Sequence, residues 1–203
     1  MSDELYREGK LVSDNYKNIL RSQTNAAEIP ADVTVRYGVT VRRANLRNLP
    51  TGEGLFFYAS DRNFDALQET ALDPGEAVAI LHTSTNGYFY YVQAYNYRGW
   101  LSKFDVAETD RSTWLRYAEP KNFLTVVAKD YTLKADGAQV LFQQGARLQL
   151  ADKKASAYTV KVPVRTKEGK LQEEKVVLAA NASLHEGYLP VCYTHLRAHE
   201  TRH

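Results

Sequence analysis

From Tyr37 onward the chain is a succession of short β-type runs with turn chemistry between them, and this texture constrains the fold more than any other feature. "VTVRYGVTVRRANLR" alternates as strands do, and "LPTGEG" is a turn-rich loop. "EAVAIL" reads as a buried strand, "TSTNG" as a hairpin turn and "YFYYVQAY" as the returning strand. A second tight turn at "NYRG" leads into "WLSKFDVA". Between the loop and "EAVAIL", the stretch "DRNFDALQETAL" is expected to form one or two helical turns capped by Asp61 and ended by "DPG". Five or six strands in about seventy residues describe a small barrel, placed at residues 37–107.

The pattern then repeats. "ETDRSTWLRYAEP" reads as a connecting helix, with Asp110 as its N-cap and Pro120 past its end, giving a linker at 108–120. After it come "NFLTVVA", "YTLK", "AQVLF", "RLQL" and "AYTVKVPV". The last of these puts Tyr158, Val160, Val162 and Val164 on one face, with Pro163 opposite marking an edge strand or a bulge. "RTKEGK" turns the chain, "EEKVVLA" returns, and "EGYLPV" closes a second barrel at 121–191. The shared Gly-aromatic-Leu step in "RGWLS" and "EGYLP" favours two related barrels in tandem. Ahead of them, residues 1–36 carry Leu5, Tyr6, Leu11, Val12, Tyr16, Ile19 and Leu20 at a loose helical spacing broken at Gly9. That is too little apolar surface for a domain, so the segment is a packed arm or the remnant of a preceding region.

Composition excludes several classes. The 26 Lys and Arg are interspersed with 24 Asp and Glu, so no basic groove for nucleic acid is expected. One cysteine permits no internal disulfide, and no apolar run approaches membrane-spanning length. "MSDELYREGK" has no apolar h-region, so no signal peptide is read in it. Tyrosine is the unusual entry, with fourteen copies against two tryptophans. In "YFYYVQAY", alternation with Val92 inward sends Phe89 and Tyr91 to the opposite face. A barrel this small cannot enclose those rings together with Tyr95, Tyr97 and Trp100. Nor can Phe56, Phe57 and Tyr58 all point inward from one loop. These rings are the candidate contacts to a peptide or to a neighbouring domain.

"NLRNLPT" and "RGWLSKFDVA" resemble the opening and closing steps of bacterial SH3-like domains in cell-wall hydrolases. Phe64, Asp65, Leu67, Gln68, Leu72, Pro74 and Gly75, with the apolar and aromatic strands after them, resemble the SH3b1 subtype that precedes an NlpC-type cysteine endopeptidase domain. "RYGVTVRRANLR", "GARLQL" and "EGYLP" fit the same order, so the likeness runs from about residue 30 to 190. It implies an all-β fold: two tandem small SH3-like barrels with a short helical N-terminal arm and a short helical linker. In that family a papain-like domain with a Cys-His-polar triad follows, and it cleaves the γ-D-glutamyl–diaminopimelate bond of peptidoglycan stem peptides. Its cysteine lies in an Asp-Cys-Ser step, which does not occur here. The chain is therefore expected to be the non-catalytic front of such an enzyme, cut before the catalytic domain.

The implied role is to dock the stem peptide, or to wall off one side of the catalytic cleft in cis. The implied location is the cell envelope, periplasmic or extracellular, and no cofactor is implied. A stand-alone wall- or peptide-binding adaptor is the alternative. Arg47 then either meets a stem-peptide carboxylate or, the favoured reading, holds its own loop by a hydrogen bond. Asp61, Asp65 and Glu69 share a helical spacing but lack a fourth oxygen ligand, so they read as a solvated edge and not as a calcium site. His82 and His185 read as structural. In "CYTHLRAHETRH", Cys192, His195, His199 and His203 have a zinc-like spacing without an orienting second shell. Tyr193 to Thr201 resembles a transposase sequencing adapter in translation, so residues 192–203 are expected to be read-through that holds neither metal nor nucleophile.

Overall fold

The computed structural model describes residues 4–189. The arm opens with a minimal hairpin, β1 (Tyr6–Arg7) and β2 (Lys10–Leu11), followed by helix α1 (Asp14–Ser22). Ser13 caps α1 by accepting the Tyr16 N–H on its hydroxyl, which satisfies one of the otherwise orphaned donors of the first turn. Leu5, Val12 and Leu20 are buried with Leu55 and Leu67, which come from a long loop of the first barrel. Each such leucine stabilises by about 2 kcal/mol when removed from water. The lead-in is thus a packed arm.

The first barrel runs through β3 (Arg36–Thr40), β4 (Ala44–Arg47), β5 (Gln68–Leu72), β6 (Ala77–Thr83), β7 (Phe89–Gln93), β8 (Arg98–Ser102) and β9 (Val106–Thr109). Its strand order is β5-β4-β8-β7-β6-β3-β9. Ala44, Leu46, Leu72, Val78, Ile80, Val92, Leu101 and Val106 form the core by alternation along their strands. Seven strands stand where five or six were expected, and β9 continues two residues past 107, pairing Glu108 with Gly38 and Thr109 with Tyr37.

The extra strand is β5. No helix forms in "DRNFDALQETAL", because Gln68–Leu72 pairs with β4 instead, with Leu72 opposite Ala44 in the core. A local helical preference of a few tenths of a kcal/mol per residue is easily outweighed by such a ladder. Asp61 does act as a cap, but of a turn: its Oδ1 accepts the Asn63 and Phe64 N–H groups at 2.8 and 3.3 Å.

Helix α2 (Arg111–Ala118) links the barrels, capped by Asp110, whose carboxylate accepts the Thr113 N–H. The second barrel contains β10 (Phe123–Val126), β11 (Asp130–Ala135), β12 (Ala138–Gln143), β13 (Arg147–Lys154), β14 (Ala157–Arg165), β15 (Leu171–Ala179) and β16 (Leu184–Glu186). Its order is β15-β14-β13-β10-β16, with β11 and β12 as a separate hairpin. Leu124, Val126, Leu133, Phe142, Leu148, Val160 and Val162 lead its core. Pro163 lies in the part of β14 paired only with β15, since the ladder to β13 covers residues 157–161. A residue without an N–H is tolerated there.

The two barrels share one plan. The order β8-β7-β6-β3-β9 in the first is matched by β15-β14-β13-β10-β16 in the second, each with a hairpin inserted after its first strand. Gly75 before β6 and Gly145 before β13 both have φ of 89°, a left-handed conformation that disfavours any side chain. Each donates its N–H at 2.8 Å to the last residue of the first strand, Thr40 or Val126. Register shifts recur at equivalent places, between Ile80 and His82 and between Leu150 and Asp152. Such bulges sharpen strand bending, as closure of a small barrel requires.

"RGWLS" and "EGYLP" are not equivalent positions. "RGWLS" is β8, whose counterpart is β15, whereas Gly187 and Tyr188 follow β16. The repeat is real, but the tripeptide was the wrong sign of it.

The barrels meet through polar and aromatic contacts around α2. The Trp114 indole donates to the Val78 carbonyl at 3.0 Å and packs on Tyr37 at 5.2 Å between ring centroids. Tyr117 donates to Glu173 at 3.2 Å, and Arg165 Nε donates to the Val106 carbonyl at 3.1 Å. The Glu108 N–H bonds the Gly169 carbonyl at 2.8 Å. No helix among the described residues is long and apolar enough to cross a membrane.

Candidate functional site

The predicted residues divide among three places. The first is the outer face of β7 and β8. Tyr91 packs on Trp100 at 5.2 Å between ring centroids, and His82 lies 6.2 Å from Trp100. Trp100 is only 4% exposed, because Tyr91 and His82 crowd it and the arm docks beside them. His82 Nε2–H donates to the Asn25 carbonyl at 3.0 Å, while the Thr85 N–H and hydroxyl bond the carbonyls of Gln23 and Ser22. Phe89 is half-buried, its N–H held by the Ser84 hydroxyl at 3.0 Å. Trp100 and Tyr91 therefore pack on each other, with Phe89 half-buried along the same strand, and they form no open ring surface.

The second place is the loop of residues 48–67. Arg47 is 5% exposed. Its Nη1 meets Asp65 Oδ2 at 2.6 Å, and its Nη2 donates to the Glu53 carbonyl at 2.6 Å. Asp65 Oδ1 in turn accepts the N–H groups of Leu55 and Leu67 at 3.1 and 3.0 Å. Arginine and aspartate thus pin both ends of the loop tip. Asp61, Asp65 and Glu69 do not line one helical face, since Asp61 caps its turn, Asp65 serves Arg47 and Glu69 lies in β5.

Phe56 exchanges two backbone hydrogen bonds with Tyr6 of the arm, at 2.8 and 2.9 Å. Phe57 and Tyr58 face solvent beyond it, Tyr58 at 71% exposure, with exposed Phe64 on the same loop. Glu53 ties this loop to the arm, accepting from the Tyr16 hydroxyl and from Arg7 Nη1. Those two donors hold its carboxyl below the usual carboxylate range, with Tyr16 the larger influence.

The third place is the junction between the barrels. Tyr95, at the tip of the β7–β8 hairpin, is 80% exposed, and Tyr97 is also exposed. Tyr95 stands at the rim of a groove of about 680 Å³ whose other lining residues include Glu76, Arg147, Thr125, Tyr188 and Leu189. Smaller recesses of about 230 and 210 Å³ open beside it, and Glu76 and Tyr95 line all three. Tyr188, 74% exposed, is braced edge-on against Phe123 at 4.9 Å. Glu76 and Arg147 approach to 3.6 Å. Burial pushes the Glu76 carboxyl up, opposed by Arg147.

Glu76, Arg147 and Tyr188 escaped the sequence reading, because they meet only when the second barrel folds back on the first. The available signal is "EGYLP", which by sequence reads only as barrel closure. A further ring pair, Tyr88 with Phe104 at 6.0 Å, has Lys103 over both faces. His185 lies in β16 with a buried Nδ1 that has no partner among the described residues. Cys192, His195, His199 and His203 lie outside the described residues.

Residues 55–102 match the family model of the SH3 domain (SH3b1 type). The first barrel resembles that domain. The match contains every predicted contact residue except Arg47. Among solved structures, a novel NlpC/P60 endopeptidase from Photobacterium damselae subsp. piscicida aligns with 89% of this chain at 22% identity and a TM-score of 0.65. At that identity the likeness establishes the all-β fold, and its extent takes in both SH3-like barrels. The chain spans 40% of the length of that protein. No curated protein matches the chain at a significant level.

Proposed function

We propose that this chain is the non-catalytic docking region of a peptidoglycan endopeptidase that cleaves γ-D-glutamyl–diaminopimelate bonds. In this reading it acts at the cell envelope, presenting the stem peptide to a catalytic domain in cis and covering one side of its cleft. The observation that carries the reading is the placement of solvent-facing rings within the SH3b1-matching segment: Phe57 and Tyr58 on the loop, Tyr95 and Tyr97 on the hairpin tip. Rigid rings on a pinned loop and a hairpin tip supply contact area at little entropic cost, which suits an extended, partly apolar ligand. Beneath Phe57 and Tyr58, Arg47 and Asp65 hold the loop, and Phe56 ties it to the arm through backbone hydrogen bonds with Tyr6.

Co-sedimentation of the purified chain with peptidoglycan sacculi tests this. The native chain is expected to be retained, and the pairs F57A/Y58A and Y95A/Y97A each to weaken retention by about tenfold, as loss of aromatic anchors does. Retention unchanged in both pairs would remove these rings from the role. The chain alone is expected not to cleave a γ-D-glutamyl–diaminopimelate peptide, and cleavage would overturn the reading.

A further inference from the structure

The groove between the barrels combines two opposite charges, Glu76 and Arg147, with two largely exposed rings, Tyr95 and Tyr188. Glu76 stands just after the Gly75 turn of the first barrel, and Arg147 just after the equivalent Gly145 turn of the second. The side chains of both are mostly buried, yet their closest approach of 3.6 Å is longer than a direct hydrogen bond. The neighbouring Asp73 is already committed, to Arg43 at 3.1 Å and to the Gln143 N–H at 3.1 Å. Glu76 and Arg147 thus present an acceptor and a donor, side by side, to the groove. Tyr95 and Tyr188 offer aromatic faces at its mouth.

We propose that this groove binds the α-amino-acid end of a peptide, a carbon bearing both an ammonium and a carboxylate. The carboxylate pairs with the Arg147 guanidinium, whose planar fork suits two carboxylate oxygens. The ammonium pairs with Glu76 and lies against a tyrosine face, where a cation is attracted to the ring. Sign matching selects the class. A simple anion would meet Glu76, a simple cation would meet Arg147, and a neutral group would leave the pair poorly hydrogen-bonded. The free end of a diaminopimelate residue carries both charges on one carbon. The choice of that probe rests on the wall-peptide reading above.

The test is calorimetric titration of the full chain with free meso-diaminopimelate, its N,N′-diacetyl form and its diamide. The unmodified compound is expected to bind at one site, and each blocked form to bind at least tenfold more weakly, because a charge-assisted hydrogen bond is lost. E76Q and R147Q are expected to weaken binding similarly. Y95A changes an exposed tip and leaves the fold intact, so it isolates the ring; a severalfold loss is expected. Equal binding of the blocked forms, no binding of any form, or indifference to Y95A and E76Q would overturn the proposal. Sacculus retention without diaminopimelate binding would sink the groove site alone. Diaminopimelate binding without retention would sink the docking reading alone.

Discussion

Arg47 shows how one side chain sets the geometry of a surface it does not itself present. Its guanidinium is buried against Asp65 and the Glu53 carbonyl, so the exposed Phe57 and Tyr58 ride on a loop tip pinned at both ends. Removing one partner of a buried pair strands the other charge, which costs more than the pair contributes. R47M is therefore expected to lower unfolding free energy by about 3 kcal/mol, measured by urea denaturation. R47K keeps the charge but loses the fork that spans two acceptors, and about 1 kcal/mol is expected to go. A loss in R47M no larger than that in R47K would show the pair to be dispensable. At this scale the sequence was partly legible. "NLRNLPT" marked Arg47 as a loop holder, but its partner Asp65 is eighteen positions away in a stretch that reads as helix.

Among the elements, the arm is fastened to the first barrel by the leucine cluster and by Glu53, which takes donors from both Tyr16 and Arg7. Because the folded-state pKa of Glu53 lies below its unfolded value, its contribution is fully present above the ordinary glutamate range and fades as pH falls through the folded value. Acidification below about pH 4 is thus expected to loosen the arm before the barrels. Protection of the Tyr6 and Phe56 amides against hydrogen exchange, relative to the intrinsic rate at each pH, should fall there, and E53Q should show lowered protection already at neutral pH. Exchange in E53Q equal to that of the native chain would exclude the latch. The loose spacing of Leu5, Val12 and Leu20 left open whether the arm packs. Its binding site, Leu55 and Leu67, is a loop that has no pattern of its own until the arm covers it. The β5 strand was misread for a related reason, since a short segment takes its state from the partner it pairs with.

On the scale of the whole molecule, two copies of one strand plan are joined by α2, with Trp114 reaching into the first barrel and Tyr117 into the second. These ties are expected to make the barrels unfold together in a single calorimetric transition. W114A, which loses the Val78 hydrogen bond and the Tyr37 contact, should cost about 2 kcal/mol and split that transition into two. Two transitions in the native chain would show the barrels to be uncoupled. The same closeness creates the groove, because the Gly75 turn lies against the backbone of Arg147 and places Glu76 beside its side chain.

The strand texture and the turn chemistry were written in the sequence itself, whereas the shared plan of the two barrels is seen in their strand order. Alternation and glycine placement are local properties that the backbone reads within a few residues. Tertiary structure alone decided which rings remain in water and which charges meet. Trp100 was buried by neighbours and a docked arm that its own strand does not announce. Tyr95, Tyr188, Glu76 and Arg147 became one groove through packing between positions about fifty to one hundred and ten residues apart. Burial and charge pairing depend on distance in space, and no short window of sequence carries that distance.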